Sequence, residues 1–335
     1  MTKTLGALVA IVLVVSAAAC DDDPATTPSA TGPDAGAQPT LDGGVPNQQP
    51  PIENNPAPEQ GLYVVDYRGA IVHMSLEDGT IYKTYGTQGA GEHQFVDPTG
   101  IAATKKHLYV ADKGNLRIVR LARLDGAGWK AWSPGAGIEP YGVAAYLSDD
   151  EKEGSVVFSD YTGMQFLYAP ADLEGAPKPG AKLKFNTCGV AIKKDGAAGS
   201  AGCSSGPALN AIVHPQNAEQ VYTGGLVRPD ALAYLPDGTL VIADVGNDRV
   251  VCVKGASAGD FGKAGSEGDL AFQAISAVTT DLRGRIYVAD TTNDKIVRVD
   301  DCKGTNPKVL WQKTDAIDQI TALAAVGPYT SAQGM

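Results

Sequence analysis

The chain has 335 residues and is acidic, with 27 Lys and Arg against 38 Asp and Glu and a formal net charge of −11. This balance excludes a strongly basic surface of the kind that binds DNA or RNA, so nucleic acid is not an expected partner. The five cysteines form no CxxC or CxxCH motif, which argues against haem attachment and thioredoxin-like redox chemistry.

Residues 1–19 have the composition of a secretory signal peptide. One cation, Lys3, precedes an uncharged stretch from Leu5 to Val15 and a run of small residues that ends before Cys20. The apolar stretch is shorter than the roughly 20 residues that a membrane-spanning helix needs. The small residues and the cysteine resemble the lipobox of bacterial lipoproteins, although Ala17 stands where Leu is commonest. The resemblance implies a lipid on Cys20 and a protein anchored in the bacterial cell envelope, facing the periplasm or the cell surface.

Residues 20–60 form a segment of very different composition. Between Asp21 and Gln60 the chain has nine prolines, seven acidic residues, no Lys or Arg, and almost no large apolar side chains. Such a segment cannot bury enough apolar surface to offset the entropy lost on ordering. It is therefore predicted to be a disordered tether between the lipid and a folded domain of residues 61–335.

The folded domain repeats a unit of two apolar strands separated by an aspartate and a polar turn. The marker aspartates are Asp66, Asp112, Asp160, Asp244 and Asp290. Their spacings are 46, 48, 84 and 46 residues, and 84 is twice 42, so one copy has lost its aspartate. Short apolar runs between Thr187 and Gly225 fill this gap, which brings the number of units to six.

A further apolar strand precedes most of these units, for example at Pro98, Pro140 and Pro229. Four short strands in each unit of about 40 to 50 residues predict an all-β fold, a six-bladed β-propeller. The first unit lacks this inner strand, whereas a spare strand begins at Ile320. The C-terminal strand is therefore predicted to complete the first blade, close the ring and remove its free sheet edges.

The segment from Gly86 to Leu121 resembles an NHL repeat, and the copies from Leu226 and Asp269 are similar. The resemblance covers most of residues 61–335 and is weakest in the fourth unit. It implies a structural role for the acidic and amide side chains of the turns, which are Asp66, Asp112, Asn115, Asp160, Asp244, Asn247, Asp290 and Asn293. It also carries an enzymatic alternative, because six-bladed relatives include amidating lyases, strictosidine-synthase-like proteins and hydrolases of the gluconolactonase type.

Four cysteines remain if Cys20 is lipidated, an even number in a compartment that permits disulfides. Three pairings of these four are possible. The preferred one joins Cys188 to Cys203 within the most irregular stretch of the chain, where a local crosslink would help most, and leaves Cys252 to pair with Cys302.

The enzymatic alternative requires catalytic groups near the axis of the ring. None of the four histidines begins an inner strand, so a histidine zinc site is not expected. The residues assigned to positions just before inner strands are Asp97, Glu139, Asn186, Asp230 and Gln319. Oxygen donors of this kind suit Ca²⁺, but the symmetry of a propeller brings such positions to the axis whether or not they bind a metal.

The sequence thus favours a monomeric binding scaffold over an enzyme. Loops on a rigid propeller are suited to recognise a protein or a small ligand in the cell envelope, and no cofactor is required. The alternative is a calcium-dependent hydrolase or lactonase that uses Asp97, Glu139 and Asp230 around one ion.

Overall fold

The computed structural model describes residues 59–148, 151–152, 154–203, 210–312 and 317–326. The predicted signal peptide, the lipidation site Cys20 and almost all of the predicted tether lie outside these residues. No helix in the described ranges is long and apolar enough to span a membrane.

The first half of the ring contains three blades. Blade one has β1 (Gly61–Asp66), β2 (Ile71–Met74) and β3 (Ile81–Tyr85), followed by a short parallel pair, β4 (Thr87–Gln88) and β5 (Gln94–Phe95). Blade two has β6 (Pro98–Ala103), β7 (His107–Asp112), β8 (Arg117–Ala122) and β9 (Lys130–Trp132). Blade three has β10 (Pro140–Leu147), β11 (Gly154–Asp160), β12 (Gln165–Ala169) and β13 (Lys178–Lys182).

The second half contains the other three blades. Blade four has β14 (Thr187–Lys193), β15 (Gly196–Ala201), β16 (Ala211–Val213) and β17 (Gln220–Tyr222). Blade five has β18 (Pro229–Tyr234), β19 (Leu240–Asp244), β20 (Arg249–Lys254) and β21 (Ser257–Phe261), and the parallel pair β22 (Lys263–Ala264) and β23 (Ala271–Phe272) follows it. Blade six has β24 (Ile275–Thr280), β25 (Ile286–Asp290), β26 (Lys295–Val299) and β27 (Lys308–Gln312), and β28 (Ile320–Val326) ends the described chain.

Closure of the ring follows the prediction. Within the described residues the blades are six four-stranded antiparallel sheets, and the first has the order β28-β1-β2-β3. The last strand thus supplies the inner strand that the first blade lacks, with Gly61 opposite Val326 and Val64 opposite Leu323. The inner strands β6, β10, β14, β18, β24 and β28 each contact the inner strands on either side, so they surround the axis. This confirms the six-bladed, all-β propeller.

The hydrophobic core lies between neighbouring blades. All six residues of β1 are buried because its two faces pack against different neighbours. Leu62 and Val64 join a cluster with residues of blade six, whereas Tyr63 and Val65 join a cluster with residues of blade two. An isolated blade would expose both faces, so each blade is stabilised only by stacking on the next.

The marker aspartates are buried and link each second strand to the loop that enters the same blade. Asp112 accepts hydrogen bonds from the backbone N–H of Val96 at 2.8 Å, from the amide of Asn115 at 2.9 Å and from Arg117 at 2.7 Å. Asp244 makes the same three kinds of contact in blade five. Asp160, Asp290 and Asp66 also accept from an entering loop, and Asp66 accepts in addition from Ala70 in its own turn. These contacts fit a structural role, because they satisfy polar groups within the turns.

The ring has two distinct faces. The mouth face carries the turns that join second to third strands and the loops that enter the inner strands. The opposite face carries the remaining hairpin turns, and here β1 starts at Gly61 beside the end of β28 at Val326. We call it the tether face, because the chain enters the propeller from residues 59–60 on this side.

Two disulfides crosslink the ring in the pairing that the sequence analysis preferred. Cys188 of β14 bonds to Cys203, which follows β15, and the link stays within blade four. Cys252 of β20 bonds to Cys302 in the turn after β26, and this link joins blade five to blade six. Disulfides are typical of proteins that work in an oxidising compartment outside the cytosol.

Candidate functional site

Every inner strand begins with an irregularity at the mouth of the central channel. The register of each inner strand shifts within its first few residues, as between Pro98 and Gly100 or between Pro229 and Leu232. Such β-bulges bend a strand and redirect its side chains. The second residues of the six inner strands are therefore equivalent positions at the axis, and they are Thr99, Tyr141, Cys188, Asp230, Ser276 and Thr321.

The predicted channel residues fall into two layers rather than one. Asp97, Glu139, Asn186 and Gln319 stand directly before their inner strands, as expected. Asp230 does not, because β18 begins at Pro229 and the residue before that strand is Arg228. The prediction placed Asp230 in the wrong layer. Asp230 is the second residue of β18 and so lies deeper in the channel than the residues that precede the inner strands. Among the six equivalent second positions it is the only Asp, Glu, Lys or Arg.

Lys113 binds the carboxylates at the rim of the mouth. This lysine lies in a short 3₁₀ turn, Lys113–Asn115, after β7 of blade two. Its ammonium donates to Asp97 at 2.9 Å and lies 3.7 Å from a carboxylate oxygen of Glu139 in blade three. Burial alone would lower the pKa of Lys113, but the hydrogen bond to Asp97 and the charges of both carboxylates raise it. The lysine is therefore a permanent cation that holds the rims of two blades together.

A second pair crosses the channel beneath this rim. The phenol of Tyr141 in blade three lies 3.4 Å from a carboxylate oxygen of Asp230 in blade five, and therefore reaches past blade four. The ring of Tyr141 stacks on that of Tyr161, with centroids 5.2 Å apart. Burial raises the pKa of Asp230 to about 6, against the opposing effects of Arg228 and of the Tyr141 hydrogen bond. The negative charge of Asp230, followed by burial, raises the pKa of Tyr141.

Asn186 and Gln319 contact backbone groups of the mouth-face loops. The side-chain amide of Asn186 donates to the backbone carbonyl of Tyr161 at 3.1 Å, and the backbone carbonyl of Asn186 accepts from the N–H of Gly202 at 2.9 Å. The backbone carbonyl of Gln319 accepts from the N–H of Tyr67 at 3.1 Å. Both residues thus stabilise loops of the mouth face.

The arrangement does not fit a calcium ion. An ammonium lies between the carboxylates of Asp97 and Glu139, whereas Ca²⁺ would need their oxygens free and convergent at about 2.3 to 2.6 Å. The carboxylate of Asp230 contacts the phenol of Tyr141 and not the carboxylates of Asp97 and Glu139. In the described ranges no three His, Cys, Asp or Glu side chains form a group that could hold a metal ion.

The histidines lie away from the mouth cluster of Asp97, Lys113, Glu139, Tyr141, Tyr161 and Asp230. His73 is buried in β2, and burial lowers its pKa to about 4. His107 pairs with Glu151 at the start of β7 on the tether face, and His214 contacts the carbonyl of Ala197 at 3.1 Å. His93 lies in a loop of the mouth face against Trp129.

We expect the substitution Asp230→Asn to stabilise the protein at neutral pH. The native carboxyl titrates at about 6 and the unfolded one at about 3.9, so the native state binds more protons between these values. Stability therefore falls as the pH rises through this window and stays lower above it. The asparagine variant should gain about 1 to 3 kcal/mol at pH 7.5 and nothing at pH 3.5, measured by urea unfolding.

The control for this substitution is Asp97→Asn, which removes a carboxylate that Lys113 binds. This variant should gain no stability at pH 7.5, because its charge is paired. An equal gain in both variants would contradict the proposed cost of burying Asp230.

Comparisons with known proteins support the fold. No protein-family model matches the chain, and no curated protein does. Solved structures with similar folds include a nidogen/laminin complex, with 16% identity over 79% of this chain and 98% of that chain and a TM-score of 0.62. A protein of unknown function from Bacteroides caccae has 16% identity over 81% and 99% of the two chains and a TM-score of 0.57.

A catalytically inactive virginiamycin B lyase from Staphylococcus aureus, solved with quinupristin, is also similar, with 14% identity over 75% and 84% of the two chains and a TM-score of 0.50. At such low identities the shared property is the architecture, because one fold hosts many unrelated functions. The chain is a six-bladed β-propeller.

Proposed function

We propose that this protein is an envelope-anchored binding module that recognises a protein partner with its mouth face. The observation that carries the proposal is the placement of exposed apolar side chains around a polar channel mouth, on the side opposite to Gly61 and Val326. A lipid on Cys20 and a tether of residues 20–60 would join the propeller to the membrane through the chain that enters at residues 59–60. The mouth face would then be left open to a partner.

Among the described residues of the mouth face, three large apolar side chains are exposed. Tyr67 is 49% exposed, Leu116 is 45% exposed and Val227 is 40% exposed. Tyr67 and Leu116 lie in turns between second and third strands, and Val227 lies in a loop that enters an inner strand. Exposed apolar side chains beside polar groups are a feature of protein interaction sites, and tyrosine is enriched among the residues that supply most of the binding energy there.

The backbone of Leu116 has an unusual conformation for a leucine. Leu116 has a φ of 52°, a left-handed conformation that costs an ordinary L-residue about 1 to 2 kcal/mol. Blades five and six have Asp248 and Asp294 in the same place, with a φ of 49° in each, and blade three has Met164 there, with a φ of 55°. Aspartate tolerates this conformation much better than an apolar residue. Leu116 differs from the half-buried Met164 in being exposed, and an exposed apolar residue in a strained conformation is a candidate for a functional contact.

The mouth cluster supplies the polar part of the surface. Asp97, Glu139 and Asp230 outnumber the local cations Lys113 and Arg228, so the mouth favours a basic side chain of a partner. The carboxylates, the ammonium and the phenols of the mouth cluster can form hydrogen bonds with polar groups of a partner. A calcium-dependent hydrolase would need an ion at this place, where the ammonium of Lys113 binds the carboxylates instead. The mouth cluster therefore suits binding of a partner better than calcium-dependent hydrolysis.

The test compares partner capture by matched variants after mild crosslinking in cells. Leu116→Asp should fold normally, because aspartate occupies the equivalent turns of two other blades, but should lose the partner. Leu124→Asp changes a leucine that is 36% exposed on the tether face and should retain it. Equal recovery by both variants, or turnover of a small molecule without any partner, would refute the proposal. Mass spectrometry of the mature chain tests the anchor, which an unmodified Cys20 would disprove.

A further inference from the structure

A groove on the tether face lies between blades five and six, remote from the mouth cluster. It encloses about 620 Å³, a volume in the range of small-molecule sites. Four hairpin turns form its walls, and the Cys252–Cys302 disulfide lines it. Leu235, Pro236 and Leu282 add apolar surface, and Leu282 is 37% exposed. The walls therefore offer a water-exposed apolar slot that a ligand could cover.

Three cationic side chains, Lys254, Arg283 and Lys303, line this groove, and none of them is held by a buried ion pair. Lys254 pairs with Asp237 at 2.6 Å, but both side chains are more than half exposed, so the pair contributes little stability. Arg283 contacts Glu77 at 3.0 Å, and Glu77 also binds Arg285 at 2.8 Å and Arg298 at 2.9 Å. Arg283 can therefore turn away without leaving Glu77 unpaired. In the part of the chain that the structure describes, the ammonium of Lys303 donates no hydrogen bond.

The two carboxylates that line the groove, Asp237 and Asp301, accept hydrogen bonds from backbone N–H groups of their own turns. Asp237 accepts the backbone N–H of Thr239 at 2.9 Å, and the hydrogen bond from Lys254 followed by that from Thr239 lowers its pKa to about 2. Asp301 accepts the N–H groups of Lys303 at 2.8 Å and Thr305 at 3.2 Å. The polar groups left for a ligand are thus mainly the donors of three cations, and a guanidinium binds a carboxylate or phosphate through two parallel hydrogen bonds.

We propose that this groove binds a free single-chain amphiphile with an anionic head group, a carboxylate or a phosphate. Its apolar chain covers Leu235, Pro236, Leu282 and the disulfide, and its head binds Arg283 and Lys303, with Lys254 at the far wall. Charge complementarity favours an anion, and the apolar walls favour a chain over a bare inorganic ion. The site is independent of partner recognition by the mouth face.

The test is calorimetric titration of the full chain with monomeric dodecanoate, below its micelle concentration. Dodecanoate should bind at least about ten times more tightly than dodecyltrimethylammonium, which has the same chain and the opposite charge, and added salt should weaken it. Dodecyl phosphate should bind as well as dodecanoate. Inorganic phosphate alone should not bind measurably. Equal binding of the two charged amphiphiles, or no binding of dodecanoate, would overturn the proposal.

Variants locate the site. The double variant R283Q/K303Q, which removes both cations proposed to bind the head group, should bind dodecanoate at least about ten times more weakly, a loss of about 1.4 kcal/mol or more. Leu282→Asp should weaken binding through the apolar wall. The matched control is Lys130→Gln, which removes an exposed ion pair with Glu174 elsewhere on the ring and should leave binding unchanged. An equal loss in the control, or binding only to phosphatidylglycerol vesicles, would refute a groove for free amphiphiles.

Discussion

A chain that ends at Gln319 is expected not to form a stable ring. This truncation removes β28, whose buried side chains include Ile320, Leu323 and Val326. Burial of each of these side chains contributes about 1.5 to 3 kcal/mol to stability. Their combined loss is therefore comparable with the whole free energy of unfolding of a typical domain, about 5 to 15 kcal/mol. The truncation also leaves β1 as an unpaired inner edge, which invites pairing between chains. Size-exclusion chromatography and thermal unfolding should show aggregates and no cooperative transition.

The control is a chain that ends at Val326 and keeps every residue of β28. It should remain a monomer with a cooperative transition. If the chain that ends at Gln319 also folded cooperatively, blade one would be stable with three strands and the closure would be dispensable.

Replacing the disulfide between blades five and six should have the next largest effect. In the chain-entropy description a crosslink across 50 residues contributes about 4 kcal/mol. Because it also joins two blades, its loss should weaken the contact between their sheets. We expect the double substitution of Cys252 and Cys302 by Ala to lower the melting temperature by roughly 10 °C, measured by differential scanning calorimetry.

The other disulfide provides the comparison. Cys188 and Cys203 are 15 residues apart and belong to one blade, so removing their bond should cost about 3 kcal/mol or less. Reduction of the wild-type protein should match the effect of removing both bonds. Reduction that leaves the melting temperature of the wild type unchanged would contradict the role given to both crosslinks.

Local sequence patterns predicted most of the fold. In blades two, three, five and six each marker aspartate accepts from a loop 16 to 21 residues upstream, within the same repeat, so each copy can be recognised from its own residues. Blade four is the informative exception, because its second strand, β15, has the sequence GAAGSA and none of the large or β-branched residues typical of strands. Its form is set by a neighbour, since a side chain at Gly199 would lie 2.4 Å from the ring of Phe166 in blade three. Such contacts are invisible in a single segment.

The candidate site was predicted less well, for reasons of register and distance. Proline is the first residue of several inner strands, and Pro229 could have placed Asp230 inside its strand rather than before it. No local signal identifies Lys113, because its partners Asp97 and Glu139 are brought together only by the stacking of blades two and three. The contact between Tyr141 and Asp230 likewise depends on the closed ring, because the two residues are 89 positions apart in the sequence.

The pairing of Gly61 with Val326 means that the beginning and the end of the propeller meet side by side on one face. The polypeptide is therefore a circle opened at a single point, and little in its geometry requires the opening to lie there. A short peptide joining these ends, with a new cut in an exposed turn such as the one at Gly255, would give a circular permutant with the same ring. In such a permutant the new first strand would be β21, the outermost strand of blade five, so the chain would enter the ring at its rim instead of beside the inner strand β28.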